Sequence, residues 1–218
     1  FLTRNSKYFD TFSLLSFDEN QYETLFKEAA LSDITIFSSV FDNKSLEIME
    51  KLNCPAYKVA SGDIDHLPLL KNVAKTGKPI IISTGGATLD DCKNALSCIR
   101  EENPNSEVAL LHCVSNYPLE VRDANLSVIE TLKNEFKVPV GFSDHSIGEI
   151  LPIAATSLGA DIIEKHFTLN TSADGLDHSL SADPLTLRKI SEGILIAYLS
   201  RGTDKKLPVE EMSQIEGI

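Results

Sequence analysis

The feature that most constrains this chain is its alternation. Six short apolar runs, rich in Val and Ile, recur at spacings of roughly 22–30 residues, and a stretch of helical period follows each. They are residues 34–40 (ITIFSSV), 56–61 (AYKVAS), 79–84 (PIIIST), 108–114 (VALLHCV), 138–143 (VPVGFS) and 161–167 (DIIEKHF). Runs this short, apolar on both faces, predict buried strands. The intervening helices are predicted over 43–52, 67–76, 89–102, 127–136 and 147–158, with a last one over 184–200. An earlier one, over 16–30, opens on a capping box of Ser16 and Glu19. Gly77 and Gly159 stop two of these helices, and Asn103-Pro104 a third. Thr88 and Asp183 are N-caps, the latter with Pro184 at the first helical position. Residues 1–15 read as an aromatic loop, and the tail from Gly202 is polar. Strict strand–helix alternation gives a parallel sheet with right-handed crossovers.

Two architectures fit that pattern, a doubly wound sheet and a (β/α)8 barrel. Neither GxGxxG nor GxxxxGK[ST] occurs, so the nucleotide-binding fingerprints are absent. Polar residues instead close nearly every run: Ser38-Ser39, Ser61-Gly62-Asp63, Ser83-Thr84-Gly85, Ser115-Asn116-Tyr117, Ser143-Asp144-His145 and His166. Functional groups drawn from all the strand ends are the barrel pattern. A barrel of this kind needs eight units and about 250 residues. The expected fold is therefore an α/β, TIM-type (β/α)8 barrel, incomplete at about six βα units, forming a single partial catalytic domain over residues 1–218. Six strands alone would leave two open edges, so two further strands are expected to precede Phe1.

The 42% hydrophobic content of these 218 residues supports a sizeable core. Twenty Lys and Arg stand against 32 Asp and Glu, a net charge of −12. That charge argues against nucleic acid and anionic membranes as partners. No apolar run reaches the length of about 18 residues that a spanning helix needs. The opening FLTRNSKYFD lacks the order of a signal peptide and an initiator Met. The cysteines Cys54, Cys92, Cys98 and Cys113 form no CxxC pair. They read as reduced, buried thiols, which suits a cytoplasmic protein.

The densest chemistry lies between Pro139 and Asp183. Period two places Ser143 and His145 on one strand face, and Glu164 and His166 on one face of the next strand, with Lys165 pointing the other way. Two imidazoles at neighbouring strand ends suit a labile divalent metal with open positions; equally, each is a hydrogen-bonded histidine at a strand end. Lys58 lies within an apolar run. It either snorkels between helices on the outer face or anchors an anion on the inner one. Ser61, Ser83, Ser115 and Ser143, with Gly62, Gly85 and Gly86, offer hydroxyl and N–H groups to a phosphate, or are turn residues. Asp177-His178 is a turn, or an acceptor for a substrate hydroxyl.

Taken together, GFSDHSIG, ADIIEKHFTL and GLDHSLSADP resemble the sialic acid synthase (N-acetylneuraminate synthase) family. FSSVFD, YKVASGD, STGGAT and HCVSNYP add to the resemblance, in consistent order over about residues 30–190. It implies a (β/α)8 barrel that condenses phosphoenolpyruvate with N-acetylmannosamine or a related 2-acetamido sugar and releases phosphate, with Mn²⁺ or Mg²⁺ as cofactor. By resemblance, His145 and His166 are the metal-binding residues. Lys58, Ser61 and Ser143 hold phosphoenolpyruvate, with Ser115 where some members carry an Asn. Tyr117 and Asp177 lie near the sugar. The catalytic carboxylate, often Glu, is Asp63 here, one methylene shorter.

The family's first strand carries a Glu, its second a Lys and a Gln, and its C-terminal antifreeze-like domain gives an Arg to the partner's site in a homodimer. None has a counterpart in these residues, so the resemblance implies that this chain alone turns over weakly or not at all. A non-catalytic barrel remnant that binds a metal or a phosphorylated ligand is one other reading. A different metal-dependent aldol-type barrel enzyme is a second.

Overall fold

The computed structural model describes residues 15–202, together with positions 9 and 13. Most of the expected N-terminal loop and the tail from 203 lie outside the described residues. The order is α1 (Glu19–Leu31), β1 (Ser38–Ser39), α2 (Asn43–Lys51), β2 (Tyr57–Val59), α3 (Leu67–Lys75), β3 (Ile80–Ser83), α4 (Leu89–Glu102), β4 (Val108–Cys113), α5 (Val128–Phe136), β5 (Val140–Asp144), α6 (Ile150–Ser157), β6 (Ile163–Lys165) and α7 (Pro184–Arg201). The chain divides into two compact units, Phe1–Ala109 and Leu110–Ile218.

In the first unit β1, β2 and β3 are parallel neighbours in chain order, with Ser38 opposite Tyr57 and Lys58 opposite Ile81. Alternation then sorts the side chains. Tyr57, Val59, Ile80 and Ile82 are buried on the helix side. There the Tyr57 hydroxyl donates to Glu50 of α2, and Lys78 Nζ reaches the same carboxylate at 2.6 Å. That triad ties β2 and the entry to β3 to the helix layer. Burial, reinforced by Glu50, raises the Tyr57 phenol far above its ordinary range.

In the second unit β4, β5 and β6 are likewise parallel, with Cys113 opposite Ser143 and Asp144 opposite Lys165. His112 and Phe142 stack on the helix side, where His112 Nε2 lies 2.7 Å from the Ala124 carbonyl. All four cysteines are buried free thiols, as their scatter implies. Burial pushes the Cys92 thiol up to about 11. Among the described residues, no helix is long and apolar enough to cross a membrane.

Three expectations need correction. Positions 9, 13 and 15, expected in a loop, are helical. The N-cap of α1 is Asp18, which forms a reciprocal box with Gln21, not Ser16 with Glu19. The run at 34–40 forms a strand only at Ser38–Ser39, and Ile34 and Phe37 remain 63% and 42% exposed. Among the described residues β1 pairs with β2 alone, so its ladder extends only as far as that one neighbour reaches. The Thr88 and Asp183 caps and the left-handed Gly77 after α3 stand as the sequence predicts, and the structure adds Asp91 as the reciprocal partner of Thr88.

Gly141 permits the close approach of β5 to β6. A Cβ there would stand 2.3 Å from the Ile162 carbonyl oxygen and 2.6 Å from Leu111 Cδ2. That carbonyl accepts the Phe142 N–H at 2.8 Å and cannot move without opening the ladder. Gly141→Ala should therefore cost about 1–3 kcal/mol in urea denaturation. Gly62→Ala, where nothing lies within 4 Å, should shift stability by less than about 0.5 kcal/mol. Equal midpoints for the two variants would refute this account of the strand contact.

Candidate active site at the strand ends

His145 follows the last residue of β5 and is 4% exposed. Its Nδ1 lies 2.8 Å from the Val114 carbonyl oxygen. A carbonyl only accepts, so Nδ1 carries the proton and Nε2 keeps its lone pair. Burial holds the imidazole below the ordinary histidine range, against the opposing effect of the Val114 bond. The ring is thus neutral and its tautomer is set. Its own carbonyl accepts the Leu119 N–H at 2.9 Å. The backbone is therefore fixed as well.

Three rings meet at this point. Tyr117 stacks on His145 with centroids 4.0 Å apart and planes at 26°. His166 stands edge-on to Tyr117 at 5.7 Å and lies 5.3 Å from His145. Asp177 Oδ2 is 3.8 Å from His166 Nδ1. On the same face the Ser143 hydroxyl donates to Glu164 Oε1 at 2.6 Å. The sequence placed Glu164 on this face by parity with His166 but assigned it no role. Its pairing with Ser143 depends on register, which a single sequence does not display.

His178 serves a different purpose. Its Nδ1 lies 2.7 Å from Thr168 Oγ1, and its ring packs so closely on Gly175 that a Cβ there would come within 2.5 Å. It anchors the loop that carries Asp177. Ser115 is exposed on the segment between Val114 and Tyr117.

In the first unit, Lys58 lies on the face opposite Tyr57 and is buried. Its Nζ donates to Ser83 Oγ at 2.6 Å and to the Val59 carbonyl at 3.4 Å. The snorkelling position on the outer face is thereby ruled out. Ser61 Oγ accepts the Gly85 N–H at 2.9 Å, which leaves the Ser61 O–H as the donor and commits the glycine amide. Asp63 ends the 3₁₀ turn Ser61–Asp63 and is half-buried. A cleft of about 210 Å³ opens here between Ser61-Gly62 and Gly85-Gly86. A groove of about 650 Å³ lined by Phe26, Ile34, Leu52 and Pro55 lies at the other end of β1 and β2. That is the end at which barrels of this class do not place their chemistry. The structure thus brings Ser143, His145, His166, Tyr117 and Asp177 together in the second unit, and sets Lys58, Ser61 and Asp63 along one strand end in the first.

The chain matches the NeuB family over residues 2–206. It belongs to that family. Pseudaminic acid synthase of Helicobacter pylori is 44% identical over 181 residues, covering 83% of this chain and 53% of that protein. The N,N'-diacetyllegionaminic acid synthase of Legionella pneumophila is 34% identical over 217 residues, covering 98% of this chain and 61% of that protein. The crystal structure of N-acetylneuraminic acid synthetase from Leptospira borgpetersenii, in complex with citrate, superposes with a TM-score of 0.87 at 34% identity, over 93% of this chain and 70% of that one. The fold is therefore the expected TIM-type barrel in part, and the chain spans between half and two thirds of the length of these curated relatives.

The His145 environment has a direct readout. In an NMR titration its ring should show Nδ1–H and a midpoint below the free value of about 6.5. Because the folded pKa is depressed, the folded state binds fewer protons than the unfolded one. Stability from this group is then complete above about pH 6.5 and is lost as the pH falls through the folded pKa. A midpoint at or above 6.5 would contradict the burial argument.

Proposed function

We propose that this chain forms part of a nonulosonic acid synthase that condenses phosphoenolpyruvate with N-acetylmannosamine or a related 2-acetamido sugar and releases phosphate. The observation that carries the reading is the neutral His145, its Nε2 unprotonated, beside His166 in a member of the NeuB family. The donor set fits a divalent ion. An imidazole whose other nitrogen donates to a carbonyl is the ordinary arrangement of a ligating histidine. No group of three or more His, Cys, Asp or Glu able to share one ion occurs among the described residues. Two histidines leave the remaining positions to water and substrate, which favours Mn²⁺ or Mg²⁺ over structural zinc. When bound, such an ion supplies Lewis-acid polarisation of a carbonyl oxygen.

The chain's own residues take the other roles. Lys58 presents a buried charge to the phosphate or carboxylate of phosphoenolpyruvate. The Ser61 O–H donates to the same anion, and Ser115 is a further phosphoenolpyruvate contact by family resemblance. Ser143 reaches the anion by exchanging Glu164 for it. Tyr117 and Asp177 face the sugar. The enol π pair attacks the open-chain aldehyde carbon and forms the new C–C bond, while the aldehyde C=O π pair moves to its oxygen. Water adds to the resulting cationic carbon, the Asp63 carboxylate takes one of its protons, and that proton passes on to the former aldehyde oxygen. The C–O bond to phosphate then breaks, the remaining hydroxyl proton leaves with inorganic phosphate, and the 2-keto acid remains. We place the reaction in the cytoplasm, which suits four reduced thiols, and in a homodimer.

In the full-length protein, phosphoenolpyruvate and a 2-acetamido sugar should give a 2-keto acid and inorganic phosphate in equal amounts. His145→Ala or His166→Ala should lower kcat/KM by about a hundredfold or more, the several kcal/mol that a Lewis acid supplies. Both should abolish calorimetric Mn²⁺ binding. Release of phosphate without a 2-keto acid, or full activity in either variant, would overturn the assignment. Lys58→Met should raise KM for phosphoenolpyruvate by at least about tenfold, the loss of one charge-assisted contact. An unchanged KM would remove Lys58 from the anion site.

A further inference from the structure

Behind the two histidines lies an ion pair that the steps above do not use. Asp144 and Lys165 are direct partners across β5 and β6, with Oδ2 and Nζ 2.7 Å apart and side chains 0% and 3% exposed. Alternation puts them on the sheet face opposite Ser143, His145, Glu164 and His166. Each immediately precedes one of the two histidines. Asp144 Oδ1 also accepts the Ser146 N–H at 2.8 Å, and Lys165 Nζ also donates to the Ser146 carbonyl. The backbone on both sides of His145 is therefore tied, through one ion pair, to the residue before His166.

Stability alone does not explain such a pair. Taking both charges out of water costs about as much as their attraction returns, and apolar residues of similar volume hold a core at least as well. Apolar contact is non-directional. The carboxylate and ammonium, through three hydrogen bonds, fix both the register of the strands and the course of the turn at 144–146.

We propose that Asp144 and Lys165 are positioning residues that set the separation and orientation of the His145 and His166 imidazoles. The consequence for metal affinity rests on the reading of those histidines as ligands; the ring geometry does not. The test is the double variant Asp144→Leu/Lys165→Met in the full-length protein, compared with Lys165→Arg, which keeps the charge and the donors. Three quantities are read: the thermal midpoint, the His145 Nδ1–H signal with the His145–His166 ring NOEs in metal-free protein, and the calorimetric affinity for Mn²⁺.

The double variant should melt at or above the native temperature. It should nevertheless lose the ring NOEs and the Nδ1–H signal, and bind Mn²⁺ about 10–100-fold more weakly, the range for residues that orient ligands. Lys165→Arg should keep all three. If the double variant retains the ring NOEs and the Nδ1–H signal, the pair is a structural contact and the proposal fails. Should the double variant not fold, Asp144→Asn decides the matter. It keeps an acceptor for the Ser146 N–H but loses the charge, and native ring NOEs in it would overturn the proposal. A native protein that binds no Mn²⁺ would sink the metal reading, while the metal-free ring geometry would still decide this one.

Discussion

The register of β5 against β6 is the constraint on which the second unit depends. It sets Ser143 opposite Glu164 and Asp144 opposite Lys165. Because the side-chain period is two, those partners define two faces with different work. One carries a hydroxyl, a carboxylate and two imidazoles; the other carries a buried ion pair. A slip of one residue would exchange the two sets. The strands hold their register because Gly141 lets the Ile162 carbonyl approach and because Asp144 and Lys165 leave no other satisfactory pairing at that point.

The first unit applies the same rule to a different end. Lys58 and Ser83 meet on the face away from the helices, while Tyr57 on the opposite face is tied through Glu50 and Lys78 to the helix layer. Lys58 and Lys165 are thus the same residue type in equivalent strands, put to opposite uses by parity. Lys165 reaches an aspartate behind the sheet and orders the backbone. Lys58 reaches a serine hydroxyl at the strand end where ligands of such folds bind. An ammonium buried on the chemical face costs more than one at the surface. The helix-side triad of Tyr57, Glu50 and Lys78 gives that strand a firm seat against the layer behind it.

Much of this was legible because its causes are local. The alternation of apolar runs with helical stretches, the Thr88 cap and the Asp183-Pro184 start each depend on residues a few positions apart, and each stands in the structure. The parity of Ser143, His145, Glu164 and His166 was legible for the same reason. What the sequence hid is non-local. Ser16–Glu19 and Asp18–Gln21 are competing caps two residues apart, and a carboxylate is the stronger acceptor for an amide at a helix start. The run at 34–40 has strand composition, but a strand also needs neighbours. Lys58 lay in a run apolar on both sides, so period two could not name its face. The Ser143–Glu164 and Asp144–Lys165 pairs required the register between strands.

The loop after β6 shows how an exposed segment can hold a functional group accurately. The Thr168 N–H donates to the Ala182 carbonyl at 2.9 Å, and the Ala182 N–H to the His166 carbonyl at 2.8 Å. These bonds close the loop at its base. Thr168 and His178 clamp it a second time from within, with Gly175 leaving room for the ring. Asp177 lies immediately before that clamp, so its carboxylate is delivered to His166 by a segment whose ends cannot drift. Residues 169, 171, 172, 174 and 176 are exposed and lie between the anchors and the aspartate. They can change without moving either histidine, whereas Gly175 is held by the His178 ring. A scaffold of this kind separates the backbone that must stay fixed around the histidines from the exposed positions that can vary, and it does so by anchoring two short stretches of backbone rather than by stiffening the whole loop.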